Sequence, residues 1–445
     1  MNQENLMSTP YALTHTTVVT GDATGTVLPD QTIVVGPDGA ISAIGPAATT
    51  DVLAGHRTID ATGTFTAPGL INAHAHLFSD GKPLPAILTS EHSETAVAAF
   101  FHSPIGRMFV KRRATKNVLT QLRSGVTTIR SLGDAGYEVV AVRNEIGAGK
   151  YPGPRILASG PLLAVSGGHG TPTIALVSDN PWDARKNVRV NLRNGVDAIK
   201  IAATGGVTDA RAIGEAGRPQ MTEEEMTAIC EEAHKAGIVV AAHAESLDGV
   251  RSALRAGVDT IEHGSEMDNE IIDLFHDNPR SLHGRSALIP TLMAALPLVK
   301  LSESETGADR IVRANAEIVL DRIIAAIHGA HENGIAMGMG TDSALTYVTH
   351  YNTWRELDYV VRYGGLSHAE AFHAATGANA AILGIDGETG SLAVGKSADL
   401  VVLDADPLAD FRAFVGPRFV AIRGHLLERP DVERFDDLDA KLDSF

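Results

Sequence analysis

The chain lacks the features that mark secreted, membrane-spanning and nucleic-acid-binding proteins. Its 445 residues include one cysteine, Cys230, so disulfide bonds play no part in its stability, as is usual in a reducing cytoplasm. No apolar run approaches the ~18 residues of a membrane span, and residues 1–10 lack the apolar segment of a secretory signal. The net charge of −17 opposes binding to a phosphate backbone. Unless a leader has been removed, we expect a cytoplasmic protein without nucleic-acid or membrane partners.

The two ends of the chain have the composition of β-strands. Near the start, β-branched runs are separated by Gly, Pro and Asp, at residues 16–20, 31–35 and 40–44. Residues 390–404 and 419–423 have the same character near the other end. We therefore predict one small composite domain, a β-sandwich, formed by residues 1–66 and 386–445.

The middle of the chain, residues 67–385, repeats a different pattern: a helical run, a glycine and a β-branched run. The pattern occurs, in strict or looser form, at residues 123–130, 193–200, 235–243, 255–262 and 332–340. Each glycine would end a helix in the left-handed conformation, and each apolar run would be a buried parallel strand. Three further strand candidates lie at residues 67–77, 155–159 and 287–291. Eight such units predict an α/β fold, a (β/α)8 TIM barrel.

The most informative stretch is Ala67–Leu77, which contains His74 and His76. Side chains alternate along a strand, so these two imidazoles would point the same way and form half of a transition-metal site. Four further polar residues follow a repeat glycine by five to eight positions: Lys200, His243, His263 and Asp342. All would therefore lie at strand C-termini, where barrel enzymes place their chemistry.

The residue types in this set suit divalent metal ions. Four histidines and one carboxylate can hold zinc with positions left for water. Burial should lower the pKa of Lys200, and a neutral amine can react with carbon dioxide to form a carbamate, an anionic group able to bridge two metals. The simpler alternative for Lys200 is a salt bridge, with Glu262 or Asp342 as its partner.

Six residues, in their local motifs, resemble the metal ligands of the binuclear amidohydrolase superfamily: His74, His76, Lys200, His243, His263 and Asp342. The segment from Gly390 to Val401 also resembles that superfamily's small β-domain. Residues 166–170 and 198–206 resemble the imidazolonepropionase-related branch, whose members include Xaa-Pro dipeptidases, carboxypeptidases and ochratoxin-hydrolysing amidases. One departure is Asn72, because the superfamily usually has Asp before the His-x-His pair.

The resemblance implies two divalent metal ions, most simply zinc. His74, His76 and Asp342 would hold the first ion, His243 and His263 the second, and a carbamate on Lys200 would bridge them. A metal-bridging hydroxide would attack the substrate, with Asp342 and Lys200 as the catalytic residues. The implied substrate is a small amide, a dipeptide or an N-acyl amino acid, cleaved beside a free carboxylate. A homo-oligomer is implied as well.

Substrate contacts would come from the loops that follow the strands. The candidates there, alongside ordinary loop roles, are His169, Arg211, Arg218, Tyr347 and His350. His169 would meet a substrate carbonyl or carboxylate, and the two arginines would pair with a carboxylate. The long segment 78–107, which carries His92 and His102, is either a lid or surface elaboration.

Two other functions remain open. A mononuclear deaminase or cyclic amidase of a heterocycle would place Glu three residues after the histidine of strand five and would lack the bridging lysine. Here Glu245 follows His243 by two residues, and Lys200 is present. A non-catalytic scaffold with this fold would usually have lost ligands, and none of the six is missing.

Overall fold

The structure is a computed structural model that describes residues 9–83 and 91–445, without the side chains of 91–94. The strands are β1 (Tyr11–Val19), β2 (Val27–Val35), β3 (Ile41–Pro46), β4 (Arg57–Asp60), β5 (Phe65–Pro68), β6 (Leu70–Ala75), β7 (Val126–Ser131), β8 (Arg155–Ala158), β9 (Leu162–Ala164), β10 (Ala175–Val177), β11 (Ala198–Ala202), β12 (Val239–Ala244), β13 (Thr260–His263), β14 (Ala287–Ile289), β15 (Leu400–Leu403), β16 (Phe419–Ile422) and β17 (His425–Glu428).

The α-helices are α1 (Glu91–His102), α2 (Pro104–Arg123), α3 (Glu138–Gly147), α4 (Pro181–Arg193), α5 (Glu223–His234), α6 (Leu247–Ala256), α7 (Asn269–His276), α8 (Leu292–Lys300), α9 (Glu303–Thr306), α10 (Arg310–Glu332), α11 (Thr353–Gly364), α12 (His368–His373), α13 (Asn379–Ile382) and α14 (Asp436–Leu442). A π-helical turn spans Ala374–Ala378, and a 3-10 helix spans Phe411–Val415. Within the described residues, no helix is long and apolar enough to cross a bilayer.

Both chain ends contribute to one β-rich sheet, as the β-branched runs predict. Its strand order is β17-β16-β15-β5-β1-β2-β3, with β4 paired to β1. The two ends meet where β5 and β15 pair antiparallel, with Ala67 opposite Val401. Because β5 leads directly into β6, this sheet anchors the chain just before the strand that carries His74 and ends next to His76. The exact boundary between the two predicted domains stays a prediction.

The middle of the chain is an α/β arrangement of parallel strands and helices, as predicted. One parallel sheet has the order β6-β7-β8, and the other has the order β10-β9-β11-β12-β13-β14. The repeat glycines have the expected left-handed backbone, with φ between 65° and 102°, at Gly125, Gly195, Gly237, Gly257 and Gly334. A capping box between Thr222 and Glu225 begins α5.

The last repeat differs from the prediction, because residues 335–340 form no regular strand. Only an isolated parallel bridge is present there, between Leu288 and Met337. A Cβ atom added at Gly340 would lie 2.4 Å from the His74 Cβ, so the backbone passes too close to β6 for a side chain. The same segment hydrogen-bonds to β6 further on, where Thr341 N donates to His74 O at 3.0 Å. This contact places Asp342 beside His74.

Candidate metal centre

The six residues predicted from the sequence come together in one buried cluster. His74 lies in β6, Lys200 in β11, His243 in β12 and His263 at the end of β13. The strand register aligns these ends, since His243 is opposite Ala202 and His263 is opposite Ala244. The ring centroids of His74 and His263 are 5.2 Å apart, and those of His243 and His263 are 4.6 Å apart.

Two members of the cluster have a left-handed backbone although they are not glycine. The φ angle is 71° at His263 and 55° at Asp342. Such a conformation costs roughly 1–3 kcal/mol for an L residue and is concentrated at functional sites. In this conformation, both side chains point into the cluster.

The first group consists of His74, His76 and Asp342, whose potential donor atoms lie within 4.8 Å of one another. Asp342 Oδ1 is 3.0 Å from His76 Nε2 and 3.3 Å from His74 Nε2. Burial opposes ionisation of Asp342, but the imidazoles of His74 and His76 hold its pKa well below the usual range. The carboxylate is therefore the stable form.

The other ring nitrogen of each histidine in this group is already committed. His76 Nδ1 is 2.9 Å from the Gly133 carbonyl oxygen, and His74 Nδ1 is 2.8 Å from Glu262 Oε2. These acceptors favour the proton on Nδ1, which leaves a lone pair on each Nε2. Two nitrogen lone pairs then face one carboxylate oxygen at 3.3 and 3.0 Å, an arrangement that a cation between them would stabilise.

Glu262 is itself held by a second buried charge. Its Oε1 accepts from Arg130 Nη2 at 2.8 Å and from Thr260 Oγ1 at 2.6 Å. Burial would raise the pKa of Glu262, but Arg130 and His74 outweigh it and hold the pKa well below normal. Glu262, Arg130 and His74 thus form a fully buried chain of charge and hydrogen bonds, which fixes the orientation of the His74 ring.

The second group consists of His243, Glu245 and His263, again with potential donor atoms within 4.8 Å. His263 Nδ1 is 2.7 Å from Thr291 Oγ1, which leaves its Nε2 toward the cluster. Glu245 Oε2 is 3.7 Å from His243 Nε2. Sequence reasoning missed Glu245 as a member, although its spacing from His243 is the same as that between His74 and His76.

Burial sets the protonation of these groups. It lowers the pKa of His74 to about 4 and the pKa values of His243 and His263 well below normal, so all three rings are neutral at pH 7. A neutral imidazole is the form that binds a metal. Burial also raises the pKa of Glu245 to about 8, with smaller contributions from the negative charges of Asp342 and Asp209.

Lys200 is placed among these groups without a partner. It is 2% exposed, and its Nζ has neither a hydrogen bond nor an ion pair among the described residues. The salt bridge with Glu262 or Asp342 is thus not formed, since Glu262 already contacts Arg130 and His74. Burial lowers the pKa of Lys200 to about 8. The amine has the environment that carbamate formation requires, and the donor set around it fits two divalent cations.

The residues predicted to bind substrate fall in two places. His169 reaches the cluster: its ring stacks on His243 with centroids 4.1 Å apart, and it forms an ion pair with Asp209. Although burial opposes it, Asp209 raises the pKa of His169. Contacts with residues outside the cluster are made by the other four, which are Arg211, Arg218, Tyr347 and His350.

Those four contacts are with neighbouring loops and helices. The Arg218 side chain is 72% exposed and pairs with Glu215, which also accepts a hydrogen bond from the Arg211 amide. Tyr347 donates its hydroxyl to Glu305 O, and His350 Nε2 is 2.7 Å from Ser79 O. The His92 side chain and residues 84–90 of the predicted lid lie outside the described residues.

With this fold and site, the chain belongs to the amidohydrolase family, whose sequence pattern matches residues 65–426. The superfamily resemblance stated from the motifs is thereby confirmed.

Three proteins of known structure or activity are similar to this chain. A candidate prolidase from Bifidobacterium longum is 51% identical, with a TM-score of 0.87 over 98% of this chain and 99% of that one. An Xaa-Pro dipeptidase crystallised with methionine in its active site is 28% identical, with a TM-score of 0.80 over 94% of this chain and 100% of its own. Ochratoxinase from Aspergillus niger is 28% identical over 335 residues, which is 69% of this chain and 66%, just under two thirds, of that enzyme.

Proposed function

We propose that this protein uses two divalent metal ions, most simply zinc, to hydrolyse the amide bond of a dipeptide or N-acyl amino acid beside a free carboxylate. The observation that carries the proposal is the close approach of Asp342 Oδ1 to the two free Nε2 atoms of His74 and His76. Three electron-pair donors at this spacing favour a bound cation. The prolidase and dipeptidase relatives support the substrate class.

The residues would divide the metal-binding work. His74, His76 and Asp342 would hold one ion, His243 and His263 the other, and a carbamate formed when Lys200 loses a proton and adds carbon dioxide would join the two. Bound ions of this kind polarise carbonyl groups and activate water near neutral pH. The roles of the six residues are proposals that the buried geometry supports.

Asp342 is the group best placed to move a proton during amide cleavage. Its carboxylate lies at the cluster, stays ionised, and can accept a proton from the attacking water. It would then deliver that proton to the leaving nitrogen, which cannot depart as an anion. His169, stacked against His243, would hydrogen-bond the substrate carbonyl or carboxylate.

We also propose that the parallel strands close into a (β/α)8 barrel. Asp197 N donates to Ala158 O at 2.8 Å, which links the strand β8 to the start of β11. On the other side, residues 335–341 bridge β14 to β6. The terminal sheet would likewise fold over into a sandwich, since one apolar cluster contains Ile41 of β3 and Ala421 of β16, from opposite ends of the strand order. A homo-oligomer remains our expectation.

The function is tested by a substrate screen with the zinc-loaded protein. Dipeptides, N-acyl amino acids, the matching amides without a carboxylate, and heterocyclic amines would be compared. Cleavage confined to amides beside a free carboxylate is expected, with release of the two halves. Ammonia release from heterocycles, with one metal per chain, would support the deaminase instead.

A further inference from the structure

Glu245 is a buried carboxyl group. It is 5% exposed, and within the described part of the chain its Oε2 has no hydrogen-bond partner. Within residues 9–83 and 91–445, the one ionisable nitrogen within 4.0 Å of it is His243 Nε2, which also lies 3.3 Å from the Gly205 carbonyl oxygen. Leaving a carboxylate in this state is costly unless a cation completes the site.

The Glu245 backbone is anchored, so the side chain cannot swing away with its loop. Its amide donates to Thr204 Oγ1 at 3.2 Å, and its carbonyl accepts from Arg322 Nη1 at 2.8 Å. A Cβ atom at Gly217 would lie 2.5 Å from the Glu245 carbonyl oxygen, so a second loop packs directly against this position. The backbone of Glu245 is therefore held in place before any ligand arrives.

The spacing of the second group suits one metal ion. Two donors that share a tetrahedral zinc at about 2.0–2.1 Å lie ~3.4 Å apart, and Glu245 Oε2 is 3.7 Å from His243 Nε2. We propose that Glu245 is a third protein ligand of the second metal ion, which is then held by His243, Glu245 and His263 with or without a carbamate on Lys200. This inference depends on the proposed function only in assuming that metal binds.

The consequence is a second ion whose binding does not need carbon dioxide. Carbamate formation joins the Lys200 nitrogen to the carbon of carbon dioxide, releases one proton, and reverses when carbon dioxide is removed. A glutamate is always present. Two histidines and one glutamate are, moreover, a ligand set that catalytic zinc sites use.

The experiment counts zinc in the full-length wild type and in E245Q, E245A, K200A and K200A/E245A. Each protein is loaded with zinc in bicarbonate-free buffer and freed of excess metal, and zinc per chain and the release rate to a chelator are measured. Circular dichroism checks that each variant is folded. The matched control is D209N, which removes an acidic charge near His169 from outside the second group.

We expect two ions in the wild type, K200A and D209N. In E245A and E245Q the second ion should bind about 100-fold more weakly or worse, beyond the effect of losing an outer-shell partner. K200A/E245A should keep one ion. Two ions with wild-type release rates in both Glu245 variants would overturn this inference alone, as would equal loss in D209N.

The experiment also tests the assignment if the wild type binds fewer than two zinc ions per chain. If the wild type holds one ion, its loss in E245A supports the assignment and its retention overturns it. If the wild type binds no zinc with or without bicarbonate, both this inference and the proposed function fail.

Discussion

The two halves of the metal centre differ in how far their polar groups are satisfied without metal. In the first group, both histidines have their Nδ1 atoms engaged, and Glu262 and Arg130 extend the contacts of His74 through the interior. Among the described residues, Lys200 Nζ and Glu245 Oε2 of the second half have no hydrogen-bond partner, and Asp342 Oδ1 has none in the first half. The first half therefore leaves one carboxylate oxygen of Asp342 for a metal ion, while the second leaves both an amine and a carboxyl group that need metal ions or a carbamate.

The largest expected effect is the loss of kcat in D342N, which tests whether Asp342 moves a proton as well as binding metal. D342N should lower kcat by about 10²–10⁴, the usual contribution of a general acid–base group, because an amide cannot accept and return the proton. Zinc content should fall much less than kcat. Steady-state kinetics with the best amide from the screen, alongside zinc analysis, measure both.

D80N is the control for D342N, because Asp80 pairs with Arg113 outside the first group. It should keep near-normal kcat. Near-normal kcat in D342N as well would show that the proton is carried by another group.

The second prediction breaks the buried chain of the first half. E262Q should weaken zinc binding about 10–100-fold, as loss of a partner behind a ligand does. It should also lower the free energy of unfolding by about 3–5 kcal/mol, since Arg130 is left buried without its counter-charge. Chelator competition and urea unfolding measure the two effects.

A double variant, R130M/E262M, separates stability from metal affinity. Replacing both charges by apolar groups should recover most of the unfolding free energy, because neither charge is left alone. Zinc affinity should stay low, because His74 Nδ1 still lacks its acceptor. Recovery of zinc affinity together with stability would mean that Glu262 acts only through folding.

The third prediction concerns the second half of the metal centre and the pH dependence of carbamate formation on Lys200. Only neutral Lys200 can form a carbamate, and its folded pKa is about 8, below the ordinary value. The neutral fraction, and with it the rate of reactivation by zinc at a fixed concentration of dissolved carbon dioxide, should rise about tenfold from pH 7 to pH 9 and then level off. An unperturbed lysine would instead give a rise of about 100-fold over the same interval.

K200A is the control for the pH profile, since it has no amine to modify. Its residual activity should not respond to bicarbonate at any pH. A bicarbonate response in K200A would place the carbamate on another residue.

The smallest expected effect comes from the neutral partner in the second half. T291V removes the hydroxyl that His263 Nδ1 contacts at 2.7 Å. Because a neutral hydrogen bond contributes about 0.5–1.5 kcal/mol, zinc binding should weaken only about fivefold. T291S, which keeps the hydroxyl, should bind zinc as the wild type does. If T291V weakened zinc binding as much as E262Q does, the two halves of the metal centre would not differ in how strongly they depend on the partners of their histidines.

Sequence patterns predicted the periodic and local features well. The repeat glycines have the left-handed backbone, and the six polar residues converge in one cluster. The regular strand expected at 335–340 is absent. The backbone at Gly338 and Gly340 packs so closely against Asn379 and His74 that neither position has space for a side chain. Glu245 was missed because the rule of alternating side chains was applied to His74 and His76 but not to His243.

The amino-acid sequence by itself determined where each polar residue lies along its strand, because strand period and helix ends depend on neighbouring residues alone. Only the tertiary structure decided which buried charges are paired. Glu262 contacts Arg130 and His74 and leaves Lys200 alone, a choice between residues more than 60 positions apart in the chain. The physical reason is that the strength of a buried charge pair depends on distance and desolvation in three dimensions, which no local pattern encodes.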